Sequence, residues 1–431
     1  MEELGVPGVA LGVVAGGEEE TACLGVTSLE NPLEVTPDTL FQIGSITKTY
    51  VAAAVMRLVE RGDLDLDAPV RGYLPEMRLQ DAQAAAHVTL RHLLTHTGGW
   101  VGDVFEDFGR GDDAVARAVQ HLADVRQLTP LGEVWSYNNA GFYIVGRVIE
   151  VIAGSVFESA MDELVLEPLG LDATFFYPDE VMTHRFAVGH VRDEEEQAIV
   201  AREWSIGRWA HPAGGIVQSL RDLLRYGRFA FDGRPLLRRQ SFAELRSAQV
   251  QVGGNIDAVG LAWMLRRIDG VDLISHGGGT KGQVSELVVA PHERFVFAVL
   301  TNHEYGGVLI ERLFNPVLEA YLGVREPEPE PRELDAERLS EYAGRYASWM
   351  SDAELVVAGA GLEARLIPKR GFPTPESKPA VAPPPAQLVF YDDDWVFATD
   401  DLWKGTRAGF LRDSSGRIVW LRLGGRVYAR A

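Results

Sequence analysis

Residues 324–333 read VREPEPEPRE, and this run divides the 431-residue chain more firmly than any other feature. Alternating proline and glutamate stiffen the backbone and the glutamates repel one another, so a semi-rigid spacer is predicted over 325–334. The chain then falls into a large domain over residues 1–324 and a small one over 335–431, both within the size range of independent domains or slightly above it. Hydrophobic residues make up 46% and charged residues 24%, a globular balance that excludes wholesale disorder.

Charge and cysteine content narrow the function. Lys+Arg number 41 against 62 Asp+Glu, for a net charge of −21. The mean field of so acidic a chain repels phosphate backbones and anionic lipid, so neither nucleic acid nor membrane is an expected partner. The one cysteine, Cys23, allows no intrachain disulfide and no thiolate metal cluster. No run approaches the roughly 18 apolar residues of a membrane span. The N-terminal MEELGVPG lacks a basic segment followed by an apolar one, so a cytoplasmic location is expected. Lysine is scarce, and only Lys48 and Lys281 precede residue 320.

In the large domain, β-prone runs over 9–14 and 21–26 flank a Gly-Gly turn and predict an antiparallel hairpin. Three further strand-like runs follow at 271–274, 284–289 and 295–300. Helical patterns lie between, at 51–60, 90–94, 142–152 and 220–229, and a last helix is predicted over 307–322. The fold class implied is α/β: one antiparallel sheet built from both ends of the domain, flanked by helices, with a helical lobe beside it. A cleft between sheet and lobe is the natural place for a small molecule. The small domain shows short aromatic strand-like runs at 342–346, 355–357, 362–367, 388–391, 395–398, 409–412 and 417–423, which predict an all-β barrel or sandwich. Its proline-rich stretch over 371–386 reads as a long exposed loop.

Three constellations carry chemistry. Ser45-Ile46-Thr47-Lys48 precedes the apolar run 51–56, so the helix is predicted to be buried on nearly every side, with Ser45 and Lys48 one turn apart on one face. The helix N-terminus favours a developing oxyanion, and a lysine kept from water has a lowered pKa and can act as a base. A helix-capping serine with a solvated lysine is the plain alternative. Trp135-Ser136-Tyr137-Asn138-Asn139 offers a phenol for proton relay and an amide, Asn139, able to donate to and accept from a substrate, or else a packing tyrosine before a helix cap. Ser275-His276-Gly277-Gly278-Gly279-Thr280 follows a strand. Its glycines admit a close backbone or ligand, a strand N–H can be a second oxyanion donor beside that of Ser45, and His276 would face the cleft; a glycine-rich turn is the alternative.

Taken together, Ser-x-x-Lys, Tyr-x-Asn and His-x-Gly in this order resemble the penicillin-recognising serine hydrolases, which include class C β-lactamases, D-alanyl-D-alanine carboxypeptidases, D-aminopeptidases and related esterases. LRHLLTHTGG (90–99), SYNNAGFYIVG (136–146), EPLGL (167–171), PAGGIVQSLRD (212–222) and LTN (300–302) extend the resemblance over roughly residues 5–322. It implies that Ser45 is the acylated nucleophile, Lys48 its base, Tyr137 the relay toward the leaving group and Asn139 a substrate-amide contact. His276 and Gly278 stand where class C enzymes carry Lys-Thr-Gly, and the N–H groups of Ser45 and Gly279 form the oxyanion hole. His-x-Gly is more like the D-peptidases than the efficient β-lactamases, with Lys281 nearby as a conjectural substitute cation. The small domain resembles the lipocalin-like module appended to some of these peptidases.

The expectation is therefore a serine hydrolase that forms an acyl-enzyme on amide or ester bonds of small peptides, some with D-residues. The alternatives are a broad carboxylesterase, a β-lactamase, or a non-catalytic penicillin- or peptide-binding protein. No cofactor and no metal is implied. The expected partner is a small-molecule or short-peptide substrate, with a homo-oligomer as an open alternative; the small domain is expected either to shape access to the cleft or to mediate assembly. His92 and His96 are four apart but lack the glutamate of a zinc helix, so a structural role is expected.

Overall fold

The computed structural model describes residues 1–400 and 402–431. Eight antiparallel strands form the main sheet, in the order Glu18–Gly25, Gly8–Ala15, Phe295–Thr301, Gln283–Ala290, Val271–Thr280, Met264–Ile268, Ile256–Val259 and Val250–Gly253. The N-terminal strand pairs with Phe295–Thr301, Val9 opposite Thr301 and Val14 opposite Val296, so the two ends of the large domain meet in the centre of the sheet.

Both faces of this centre are apolar because side chains alternate along a strand. Val296, Ala298 and Leu300 join the core of the helical lobe, whereas Phe295, Phe297 and Val299 pack with Ile310, Phe314 and Leu318 of the helix Gly306–Leu322. At the heart of the lobe lies the helix Thr47–Arg61, buried from Thr47 through Met56. Three consecutive alanines, Ala52–Ala54, let neighbouring helices approach, and Gly62 ends the helix in the left-handed region at φ 82°.

Residues 344–430 form a closed barrel of eight antiparallel strands, preceded by the helix Ala336–Tyr342. Its interior is filled by Tyr342, Tyr346, Leu355, Phe390, Phe410 and Leu421. Two sequence expectations change here. Tyr342 ends the helix instead of opening a strand, its hydroxyl bonding Asp394. An eighth strand, Arg426–Arg430, follows a two-glycine turn, Gly424 (φ 55°) and Gly425 (φ 77°), and closes the barrel against Gly344–Ala347.

Within the run over 325–334, Glu326 is tied to its surroundings. Glu326 pairs with Arg266 of the sheet and with Arg407 of the barrel, the latter at 3.0 Å, while its backbone exchanges hydrogen bonds with Asn315. Two arginines from opposite sides outcompete the solvation of one glutamate. The barrel also touches the outer strand of the sheet and the turn after it: Arg422 donates to Val252 O and Arg407 to Gly254 O at 2.9 Å.

Candidate active site

Ser45 lies in the 3₁₀ turn Gly44–Ile46 that leads into the helix Thr47–Arg61. Gly44 takes φ 50°, and a Cβ there would fall 2.7 Å from the nitrogen of Gly279. Only glycine satisfies both demands. The turn is held by Thr47 Oγ1, which donates to Gly44 O at 2.7 Å and accepts from Ile216 N.

Lys48 follows one helical turn later and is wholly buried. Its Nζ lies 3.0 Å from Ser45 Oγ, 2.8 Å from Asn139 Oδ1 and 2.5 Å from Ala213 O. The last two are carbonyl oxygens, which only accept, whereas the serine hydroxyl has a proton to give. An ammonium donates to all three oxygens, as Nζ does to Ser45 Oγ here, whereas a neutral amine could give two N–H groups to the carbonyls and turn its lone pair to the Ser45 hydroxyl. Burial favours this form, holding the lysine well below its usual value; the nearby charge of Arg426 works in the same direction and Asp103 against it.

Tyr137 precedes the helix Asn139–Ala153, whose first turn is capped by Asn138 accepting from Gly141 N at 2.8 Å. Its ring stacks on His96 at 4.3 Å between centroids, and Lys48 Nζ lies 4.9 Å from the ring centre. Tyr137 Oη is buried near the Ser45 hydroxyl, outside good hydrogen-bond geometry. Burial raises the phenol above its ordinary value, opposed by the Ser45 hydroxyl and Arg426. The resting phenol is therefore protonated. His96 accepts the Asn138 N–H at 3.1 Å through Nδ1, while His92 uses its Nδ1 in the cap of the helix Leu90–Leu94, so the two imidazoles serve separate local structures.

The third segment departs from expectation. The strand does not end at Ile274 but runs through the glycines to Thr280, with Gly277 opposite Glu286 and Gly279 opposite Val284. The ladder is made of backbone groups and needs no side chains. Thr280 and Gln283 flank a two-residue turn, so the alternation of an antiparallel ladder makes the next pair, Gly279–Val284, a non-hydrogen-bonded one. The strand on the other side reaches only Ser275. The Gly279 N–H is left facing the Ser45 turn. Gly278 is fixed by packing, since a Cβ there would stand 1.9 Å from Ile43 O.

His276 Nδ1 sits 2.6 Å from Gly277 O and so carries the hydrogen, leaving Nε2 as a buried, unpartnered acceptor. Burial, then the charge of Lys48, brings this imidazole down to about 3. It is neutral where the class C enzymes carry a cation. Lys281 does not replace that cation, because its amine pairs with Glu203.

Ser45, Tyr137, Asn139, His276, Gly278 and Gly279 line one cavity of about 2030 Å³, and Lys48 stands behind Ser45. The structure adds residues that the motifs did not reveal. Asp103 accepts from Asn139 Nδ2 at 2.7 Å. Arg426, from the last barrel strand, donates to Asp103 through Nε at 2.9 Å and Nη2 at 3.2 Å, and lies over the Tyr137 ring at 4.7 Å. The Tyr137 N–H donates to Gly425 O at 2.8 Å. The Gly-Gly dipeptide between alternating runs was the only sequence signal for this hairpin.

The Beta-lactamase family profile matches residues 1–319. The chain is 36% identical over 360 residues to penicillin-binding protein 4 of Amycolatopsis lactamdurans, covering 79% of this chain and 93% of that protein. It is 41% identical over 165 residues to esterase EstB of Burkholderia gladioli, covering 35% and 41%. Its fold superposes on the crystal structure of SurE, solved also with D-Leu, with a TM-score of 0.75 and 27% identity, covering 100% of this chain and 96% of SurE. A serine and a buried lysine in contact, facing a phenol and a glycine strand, in a chain matched over 319 residues, make this protein a serine hydrolase of the Beta-lactamase family, within the penicillin-recognising superfamily.

Proposed function

We propose that Ser45 is the nucleophile, Lys48 the base, Tyr137 the acid toward the leaving group, and the N–H groups of Ser45 and Gly279 the oxyanion hole, acting on ester or amide bonds of short peptides, including those with D-residues. The observation that carries the assignment is the buried Lys48 amine, 3.0 Å from Ser45 and otherwise bound only to acceptors. Ser45 Oγ attacks the carbonyl carbon as its proton passes to Nζ. The tetrahedral oxyanion is held by the two backbone N–H groups. Collapse breaks the bond to the leaving group, which takes the Tyr137 proton, and the Lys48 ammonium returns a proton to the phenolate. Water then attacks the acyl carbonyl as Lys48 takes its proton, and collapse breaks the bond to Ser45 Oγ, which recovers a proton from the Lys48 ammonium as the acid leaves. Asn139, still tied to Lys48 and Asp103, contacts the substrate amide, and Nε2 of His276 offers an acceptor to a donor group of the substrate.

A peptide-sized substrate fits a cavity about twice the upper end of small-ligand pockets. The D-Leu bound by SurE favours D-residues, and the local match to EstB favours an esterase as the second reading. The hydrolase unit is taken as residues 1–324 and the barrel unit as 335–431, joined by 325–334. The test is turnover of a chromogenic ester, nitrocefin, and D- and L-aminoacyl p-nitroanilides, with Ser45→Ala in parallel and mapping of a fluorophosphonate adduct by mass spectrometry. The variant is expected to lose 10³-fold or more, an order-of-magnitude figure for a nucleophile. Equal turnover by the variant ends the assignment. Nitrocefin turnover far above the rest makes the protein a β-lactamase.

A further inference from the structure

The barrel reaches the reacting groups through one hairpin. Gly425 O accepts the Tyr137 N–H at 2.8 Å, Val427 N donates to Ser136 Oγ at 3.3 Å, and Arg426 forks onto Asp103. Asp103 in turn holds the amide of Asn139, whose oxygen binds Lys48 Nζ. The chain Arg426–Asp103–Asn139–Lys48 therefore runs unbroken from the second domain to the amine. The titratable and charged groups around that amine are Tyr137 from the loop before the helix Asn139–Ala153, His96 after the helix Leu90–Leu94, His276 on the glycine strand, and the pair Asp103 and Arg426. The two histidines are held neutral by burial. Asp103, with its side chain 11% exposed, is the anion of the set, and Arg426 is the cation that offsets it.

We propose that Arg426 and Asp103 are positioning residues for the general base, so that the barrel completes the catalytic centre by neutralising the Asp103 carboxylate beside Lys48. Without Arg426, Asp103 is an uncompensated anion one amide away from the amine. Such a charge stabilises the ammonium, the form unable to take the Ser45 proton. With Arg426 in place the amine keeps its lone pair, and Asn139 keeps the rotamer that points its oxygen at Nζ and its NH₂ at Asp103. The inference rests on the roles proposed for Ser45 and Lys48.

The test is the pH dependence of kcat/KM on a chromogenic ester for the full-length protein, Arg426→Ala, Arg426→Lys, Asp103→Asn and the double variant. Lys48 must be unprotonated to act, so its titration forms the acid limb. Arg426→Ala is expected to move that limb about one pH unit upward, a tenfold loss at pH values below it. Asp103→Asn moves it downward, the double variant returns toward wild type, and Arg426→Lys restores most of the shift. A loss of kcat at every pH without movement of the limb overturns the proposal, as does movement of Asp103→Asn in the same direction as Arg426→Ala. If Arg426→Ala fails to fold, as judged by thermal melting, the directions of Asp103→Asn and Arg426→Lys decide. Turnover that survives Ser45→Ala sinks the hydrolase assignment itself, whereas a dead Ser45→Ala with unmoved limbs sinks only this inference.

Discussion

Gly278 and Ile43 touch backbone to backbone: a Cβ on Gly278 would lie 1.9 Å from the Ile43 carbonyl oxygen, and Ser285 Oγ donates to that same oxygen at 2.9 Å. The contact sets the distance between the glycine strand and the Ser45 turn, and so the spacing of the two N–H groups assigned to the oxyanion. Gly278→Ala is expected to push them apart and lower kcat by about 10²-fold, the usual cost of one lost oxyanion donor. Gly279→Ala, whose Cβ meets nothing within 4 Å, should lose less than about tenfold. Steady-state kinetics of the pair check the claim; equal losses would contradict it.

Lys48 also leaves a mark on stability. Its folded-state pKa lies well below 10.5, because of burial first and Arg426 second. Between the lowered value and 10.5 the unfolded chain holds a proton that the native state does not, so ΔG of unfolding rises with pH across that window. Relative to Lys48→Met, the wild type should gain melting temperature as the pH rises toward 10.5. His276 behaves likewise in a lower window. Brought down to about 3, it is neutral when folded and charged when unfolded between about 3 and 6.5, so its contribution is lost as pH falls through that range. Thermal melts across pH, with His276→Gln beside the wild type, check both trends.

Glu326 binds the sheet to the barrel through Arg266 and Arg407, each of the three side chains being about one-sixth exposed. Glu326→Ala leaves two largely buried arginines without their shared partner, at a cost of about 3 kcal/mol. Urea unfolding should then show a lower midpoint, and limited proteolysis should release residues 335–431 earlier than from wild type. An unchanged midpoint would mean that other contacts hold the barrel in place.

The legible part of this chain was the part governed by local periodicity and spacing. Ser45 and Lys48 are three apart beside a nearly continuous apolar run, a pattern that favoured a buried lysine over a solvated one, and Lys48 is buried. The strand over Val271–Thr280 was cut short at Ile274 because glycine carries no strand signal; a neighbouring backbone, that of Ile43, dictates those residues, and sequence does not display it. Asp103 lies in an irregular stretch with no period, and Arg426 is one arginine among many. Their pairing spans 323 positions, and no local pattern encodes a contact that long.

The hydrogen bond from Tyr137 to Gly425 gives the order of synthesis a meaning. A nascent chain exposes Ser45 and Lys48 long before the ribosome has made the hairpin that steadies the phenol. Until the barrel shuts and docks, the growing polypeptide carries the serine proposed as nucleophile in unfinished surroundings. Chains that stall or are clipped ahead of Gly424 are left in that state, with their hydrolytic machinery assembled only in part.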